Sequence, residues 1–249
     1  MLNEMYSKLL TTQLFTRYLS GHGDWTPTVD SAMEIGSVIC IDSPLMSIAS
    51  DPSDIYNSDA REFIKSIPTV WDRTVVLSFS KIGEIAAFAK ESAGVWFVGG
   101  VYSSASDWVC VNLSEFLPEG ISFFADIWDD YNGKMTHTRK NVTSSDVIQL
   151  SDKSSGTGFA IRLSPIELSV YGGEILENLE VSCADSGDVI IYTIDGSDPL
   201  SSETALIYTG PIRIQNSCTL TVAVTEKASI SCNFNILTNV SEECEEIEI

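Results

Sequence analysis

The run Val95-Trp96-Phe97-Val98-Gly99-Gly100-Val101-Tyr102, entered through Glu91-Ser92-Ala93-Gly94, decides the structural class of this chain. It carries no charge, is rich in β-branched and aromatic residues, and follows a turn that ends in glycine, so it reads as a buried strand leaving a hairpin. Short apolar runs of the same kind lie on both sides of it, at residues 75–79, 82–89, 108–113, 123–128, 147–150 and 159–163. Seven short strands separated by turns predict an antiparallel β-sandwich over residues 68–163. Alternation puts Trp96 in phase with Val98, which makes its indole a core side chain.

Upstream, residues 1–67 read as mainly helical. Ser31 followed by Glu34 forms a capping box that opens an apolar stretch with Ala32, Ile35 and Ile39 on one face. A second helix over residues 60–67 would bury Phe63, Ile64 and Ile67 and be stopped by Pro68. Two or three helices with one short strand close no compact unit of their own. The expectation is that their apolar faces were shaped for neighbours this chain lacks, and that the segment folds poorly without them. Trp71, just past Pro68, is placed to reach both the last helix and the first sheet. Downstream, residues 189–194, 207–214, 220–224 and 231–236 read as strands of a second β domain over 164–238, with Asp195-Gly196 as a turn. Residues 239–249 form an acidic tail with Glu242, Glu243, Glu245, Glu246 and Glu248, a composition that favours disorder.

The wording of these segments resembles known carbohydrate enzymes. Leu14-Phe15-Thr16-Arg17-Tyr18-Leu19-Ser20-Gly21-His22-Gly23-Asp24-Trp25-Thr26-Pro27, then Asp42-Ser43-Pro44-Leu45, then Pro68-Thr69-Val70-Trp71-Asp72-Arg73, looks like the end of the catalytic barrel of glycoside hydrolase family 97. That family comprises bacterial α-glucosidases and α-galactosidases. Lys81-Ile82-Gly83-Glu84, Val95–Gly100 and Phe159-Ala160-Ile161-Arg162-Leu163 continue the resemblance through the family's C-terminal sandwich. Tyr192-Thr193-Ile194-Asp195-Gly196-Ser197-Asp198-Pro199 and Tyr208-Thr209-Gly210-Pro211-Ile212 resemble the small, immunoglobulin-like C-terminal domain of chitobiase and β-hexosaminidase. The implied fold class is mainly β: a helical remnant of the end of a (β/α)8 barrel, an antiparallel sandwich, and a small β domain.

A full (β/α)8 barrel takes about 250 residues and draws its catalytic groups from several strand ends. The resemblance therefore implies the C-terminal portion of an α-glycosidase, inactive alone, with the catalytic carboxylates and the glutamates that hold the family's calcium upstream of Met1. A non-catalytic carbohydrate-binding or scaffolding protein, or one half of a split glycosidase, remain the alternatives. Family members are exported to the periplasm or beyond, although Met1 to Leu10 carries Glu4 and no basic n-region, so no secretory signal is read there.

Charge narrows the partners. The chain has 249 residues with 35 acidic and 14 basic side chains, a formal net charge of −21. Such a surface repels phosphate, which argues against nucleic acid and anionic membranes, and no apolar run approaches the ~20 residues of a membrane-spanning helix. Neutral oligosaccharides are compatible with it, as is self-association through the helical remnant.

Glycoside hydrolysis needs two carboxyl groups flanking the scissile bond. Asp24, Asp30, Glu34 and Asp42 are carboxylates of the first segment in or near the matching motifs, and the resemblance carries no catalytic role onto any of them. Arg17, His22, Asp24 and Trp25 are the candidate sugar contacts: a guanidinium can hold hydroxyls or a carboxylate, and the imidazole and Asp24 lie in one loop. Trp25 stands where the family's motif has Tyr, and Asp24 has turn formation as its simpler reading. Trp108 and Trp128 are candidate sugar-stacking platforms. The six cysteines show no zinc spacing; most read as small buried residues inside strands, Cys110 among them, and a disulfide among Cys183, Cys218 and Cys232 is open. The run Asp126 to Gly133 lacks the spacing of a calcium loop and reads as turn chemistry. No nucleophile elbow or phosphate loop is present.

Overall fold

The computed structural model describes residues 2–106, 109–175, 178–184, 189–224 and 228–237. The chain opens with helix α1 (Leu2–Gln13), a 3-10 turn at Arg17–Ser20, and helices α2 (Ala32–Cys40), α3 (Pro52–Asn57) and α4 (Arg61–Ser66). Eight strands follow: β1 (Arg73–Val76), β2 (Ile85–Ser92), β3 (Val95–Tyr102), β4 (Val109–Asn112), β5 (Ser122–Tyr131), β6 (Lys134–Thr143), β7 (Val147–Leu150) and β8 (Thr157–Ser164). Six of them form one antiparallel sheet in the order β1-β2-β3-β8-β5-β6, and β4 pairs with β7 in a separate ribbon.

The β2–β3 hairpin has Ser92 opposite Val95, and Ala93 and Gly94 both take positive φ (49° and 87°), the backbone of a two-residue turn that matches strand twist. The β5–β6 hairpin repeats this device with Asn132 (φ 51°) and Gly133 (φ 71°). β6 was not among the strands read from sequence. Its burial is almost uniformly exposed, with Val142 alone buried, so the apolar alternation that marks a strand is missing. The Asp126–Gly133 run is accordingly the end of β5 plus an Asn-Gly hairpin, the signal that could have revealed β6.

β3 is buried along its whole length because both faces of the sheet are covered. On one face Trp96, Val98, Ile127, Phe159 and Ile161 pack under the β4–β7 ribbon through Val109, Val111, Ile148 and Leu150. On the other, α1 and α2 take the place of a second sheet. Leu10 and Leu14 join Met33, Ala86, Phe88 and Val101 in one cluster, and Ala32, Ile35 and Ile39 of α2 join Phe63, Phe97, Trp128 and Ala160 in another. α2 lies so close to the sheet that a β-carbon on Gly99 would sit 2.2 Å from the Gly36 carbonyl oxygen, which only paired glycines allow. The expectation that these helices face missing neighbours is corrected at α2: its apolar stripe is spent on the sandwich of the same chain. Ser31 caps it as predicted, its hydroxyl accepting the Glu34 N–H at 3.2 Å.

The second β domain contributes β9 (Glu167–Leu168), β10 (Gly173–Ile175), β11 (Leu179–Val181), β12 (Cys183–Ala184), β13 (Ile190–Thr193), β14 (Leu206–Ile207), β15 (Ile212–Ile214), β16 (Cys218–Val224) and β17 (Ala228–Ile236). Its five-stranded sheet runs β10-β17-β16-β13-β14, and β11–β15 and β9–β12 form two-stranded pairs. The run read as one strand over 207–214 is two, separated at Gly210-Pro211. The core of this domain, with Leu220, Val222, Ile230 and Phe234, is continuous with the cluster around α2, Phe63 and Trp128, so helices, sheet and second β domain share one apolar interior. The tail at 239–249 lies outside the described residues. Among the described residues no helix is long and apolar enough to cross a membrane.

Candidate functional site

The sequence-predicted contacts occupy the 3-10 turn and the stretch between it and α2. Arg17 begins the 3-10 turn and is exposed. The His22 ring, also exposed, places Nδ1 3.6 Å from the Asp42 carboxylate, and the Gly23 N–H donates to the Asp42 carbonyl at 3.0 Å. Asp24 is exposed and its carboxylate accepts no hydrogen bond among the described residues. Trp25 is half-buried: its Nε1 donates to Ser37 Oγ at 2.7 Å and its ring stacks on Tyr6 at 5.3 Å. The structure thus brings His22 to Asp42 and anchors Trp25 on α2. The Glu34 carboxyl is raised above the usual range chiefly by burial, with the Thr28 N–H opposing and Asp30 and Asp130 adding to the shift.

Trp96 and Trp128 are core side chains rather than platforms. Trp96 is 2% exposed and Trp128 3% exposed, which overturns the sugar-stacking expectation for Trp128; its ring lies flat against His137 at 4.0 Å. Trp108 falls outside the described residues. Trp71 is half-buried, edge-on to Phe97 at 5.7 Å with the Lys90 ammonium 5.4 Å above its ring, and it packs against the same cluster as Ile64 and Ile67. Cys183, Cys218 and Cys232 are free thiols rather than a disulfide, and Cys110 is exposed because β4 alternates with Val109 and Val111 inward.

The polar groups that sequence reading missed are on β5, which presents three aspartates to three different tasks. Asp130 accepts the N–H groups of Ala32 at 2.8 Å and Met33 at 2.9 Å, the opening turn of α2, together with the Gly158 N–H at 3.0 Å. Burial raises its pKa while these donors oppose the shift. Asp129 accepts from Lys153 Nζ at 2.5 Å and from the Ser151 N–H and hydroxyl at 2.9 and 2.7 Å. Asp126 takes Arg162 Nη2 at 2.8 Å on one oxygen, and His137 and Arg139 on the other. Arg162 in turn donates to Ser66 Oγ at 2.8 Å and stacks over the Tyr171 ring at 4.1 Å. One guanidinium therefore ties α4, the sandwich and the second β domain. Every one of these carboxylates is committed to backbone or cationic partners. That is the chemistry of a rigid joint, not of a proton donor facing a substrate.

Among the described residues no group of His, Cys, Asp and Glu side chains is arranged to hold a metal ion. An apolar groove of about 170 Å³ runs between α2, the loop through Met46 and Ile48, and Ile64, Ile67 and Trp71. A more polar cleft of about 380 Å³ opens beside Arg139, Lys140, Arg162, Glu167 and Tyr171. Neither is lined by Arg17, His22, Asp24 or Trp25.

Comparison with known proteins places these features. Residues 70–164 match the family described as "Glycosyl-hydrolase 97 C-terminal, oligomerisation", and residues 171–233 match "Chitobiase/beta-hexosaminidase C-terminal domain". The chain is 34% identical over 109 residues to a "Probable retaining alpha-galactosidase" of Streptomyces bingchenggensis, a match covering 39% of this chain and 17% of that protein. It is 31% identical over 94 residues to the "Retaining alpha-galactosidase" of Bacteroides thetaiotaomicron, covering 34% and 13%. Only a small part of either relative's length is thus spanned. In fold, a glycoside hydrolase family 97 enzyme from Pseudoalteromonas sp. strain K8, solved with acarbose, superimposes with a TM-score of 0.56 at 23% identity, covering 64% of this chain and 28% of that one. A β-arabinopyranosidase superimposes with a TM-score of 0.54 at 16% identity over the same shares. This chain carries a glycoside hydrolase family 97 C-terminal domain followed by a chitobiase/β-hexosaminidase C-terminal domain.

Proposed function

We propose that the chain is the non-catalytic C-terminal portion of an α-glycosidase acting on terminal α-galactosidic or α-glucosidic bonds, and that its own work is structural: it seats the last barrel helix and mediates self-association. The observation that carries this reading is the pairing of Asp130, which lies in a segment matching a domain described by oligomerisation, with the first turn of α2, which lies outside that segment. A helix of the barrel end is built into the sandwich, while the carboxylates around it are spent on structure. Both curated relatives bear the name of retaining α-galactosidase, which favours galactosides over glucosides. Calcium, in this reading, is held by residues outside the chain, and the intact enzyme works in the periplasm or beyond the cell.

The test is hydrolysis of aryl α-galactosides and α-glucosides by the chain alone and mixed with the catalytic barrel of a relative stripped of its own C-terminal domain. The chain alone should show no turnover with or without calcium, and should raise the activity or stability of the barrel. Turnover by the chain alone that vanishes on Asp24→Asn would place chemistry in the exposed loop and overturn the reading.

A further inference from the structure

β6 is an edge of the six-stranded sheet, and along residues 134–142 no backbone or side-chain group outside β5 hydrogen-bonds its main chain among the described residues. It is ten residues long, against four for β1 on the opposite edge. Its charge is equally unusual. Lys134–Thr143 contains Lys134, Arg139 and Lys140 and no acidic residue, in a chain with 35 acidic and 14 basic side chains. Arg139 is engaged by Asp126 and Glu167, whereas Lys134 and Lys140 form no ion pair among the described residues. By strand alternation these two lysines lie on one face, about 20 Å apart at ~3.3 Å per residue.

Cations on an edge strand keep a second identical edge away, because like charges would be placed opposite one another. The same cations select an acidic strand. An unpaired edge offers main-chain donors and acceptors at strand period, which an extended peptide matches and a sugar polymer does not. Residues 241–249 of this chain have the required chemistry: five glutamates, no lysine or arginine, and nine residues that would reach about 30 Å when extended, against about 33 Å for β6. Two copies of a chain with net charge −21 repel, so close approach is favoured where one of them is locally positive.

We infer that β6 accepts the acidic segment 241–249 of a second copy as an added strand. The inference rests on the self-association proposed above and names its surface. Within the pair, Lys134 and Lys140 would neutralise glutamates of the incoming segment, and the cleft beside Arg139 and Lys140 would receive a side chain from it.

Sedimentation velocity over a range of concentrations, with the full chain, a chain ending at Val240 and the double variant Lys134→Glu/Lys140→Glu, tests this. Circular dichroism melts check that each variant is folded. The full chain should associate, more weakly as salt is raised; truncation and charge reversal should each weaken association at least tenfold. A synthetic peptide of residues 241–249 should dissociate the full-length oligomer. Amide exchange at residues 134–142 should slow as concentration rises. If the truncated chain associates as tightly as the full one, the added strand is wrong while self-association stands through another surface. If the full chain is monomeric throughout, both fail. Protection of 134–142 that depends on the tail but not on concentration would place the tail on its own copy and overturn the exchange between copies.

Discussion

The carboxylate of Asp130, near the end of β5, bonds the N–H of Ala32 at 2.8 Å across a sequence separation of 98 residues, so a sheet residue serves as the anionic cap of a helix in another segment. The first N–H groups of a helix have no partner within it, and a carboxylate there also meets the positive end of the helix dipole. Replacing Asp130 with Ala strands the buried N–H groups of Ala32, Met33 and Gly158. Hydrogen bonds to charged groups contribute roughly 1.5–3 kcal/mol each and are not additive, so a loss of about 2–4 kcal/mol is expected. Denaturant titration measures it; Asp130→Asn should lose less, because the amide keeps one acceptor.

Trp71→Ala should cost about 2–4 kcal/mol, below the ~3–5 of a fully buried tryptophan because the ring is partly exposed. The same substitution removes the cation–π partner of Lys90, whose pKa burial already depresses. Equal midpoints for wild type and variant in a denaturant titration would show that the indole contributes nothing to the joint between α4 and the sheet.

Arg162→Met should loosen the second β domain from the sandwich. Taking one partner from a buried ion pair costs about 3–5 kcal/mol, and the lower end applies because His137 and Arg139 still hold Asp126. Amide exchange should accelerate around Leu168 and Tyr171 more than in β3. A variant that melts as wild type with unchanged exchange there would remove Arg162 from its place as the tie between segments.

In the second β domain, the Asp195 carboxylate accepts from the Ser197 N–H at 3.0 Å, the Ser197 hydroxyl and the Thr204 hydroxyl at 2.8 Å. These bonds hold its pKa down from 3.8 to about 2. A depressed folded value means that the stabilisation is present above the unfolded value and disappears as pH falls through the folded one. The 195–204 turn should therefore keep its form at pH 4 and loosen toward pH 2, read from carboxyl chemical shifts; titration at the ordinary value of 3.8 would show the turn held by other means.

Much of this architecture is legible in the residues. Val95–Tyr102, the Ala93-Gly94 turn and the Ser31 cap follow from local chemistry, because each depends on neighbours in sequence. The position of α2 does not, since its apolar stripe says only that something covers it. What covers it is decided by Gly36, Gly99 and Asp130, residues whose roles appear only when strands from distant positions are paired. β6 escaped for the opposite reason: an exposed edge needs no apolar residues, and Lys134–Thr143 offers none beyond Met135 and Val142. Of the candidate sugar contacts, His22 and Asp24 share an exposed loop as their glycine-rich surroundings suggest. The anchoring of Trp25 on Ser37 depends on a helix packing that sequence alone leaves open.

Amide hydrogen exchange of residues 32–40 shows whether helix α2 is a structural layer of the sandwich. These amides should exchange as slowly as those of β3, through opening of the whole unit, and limited proteolysis should spare the helix. Fast exchange at 32–40 beside a protected β3, with a stable proteolytic product beginning near Val70, would contradict it.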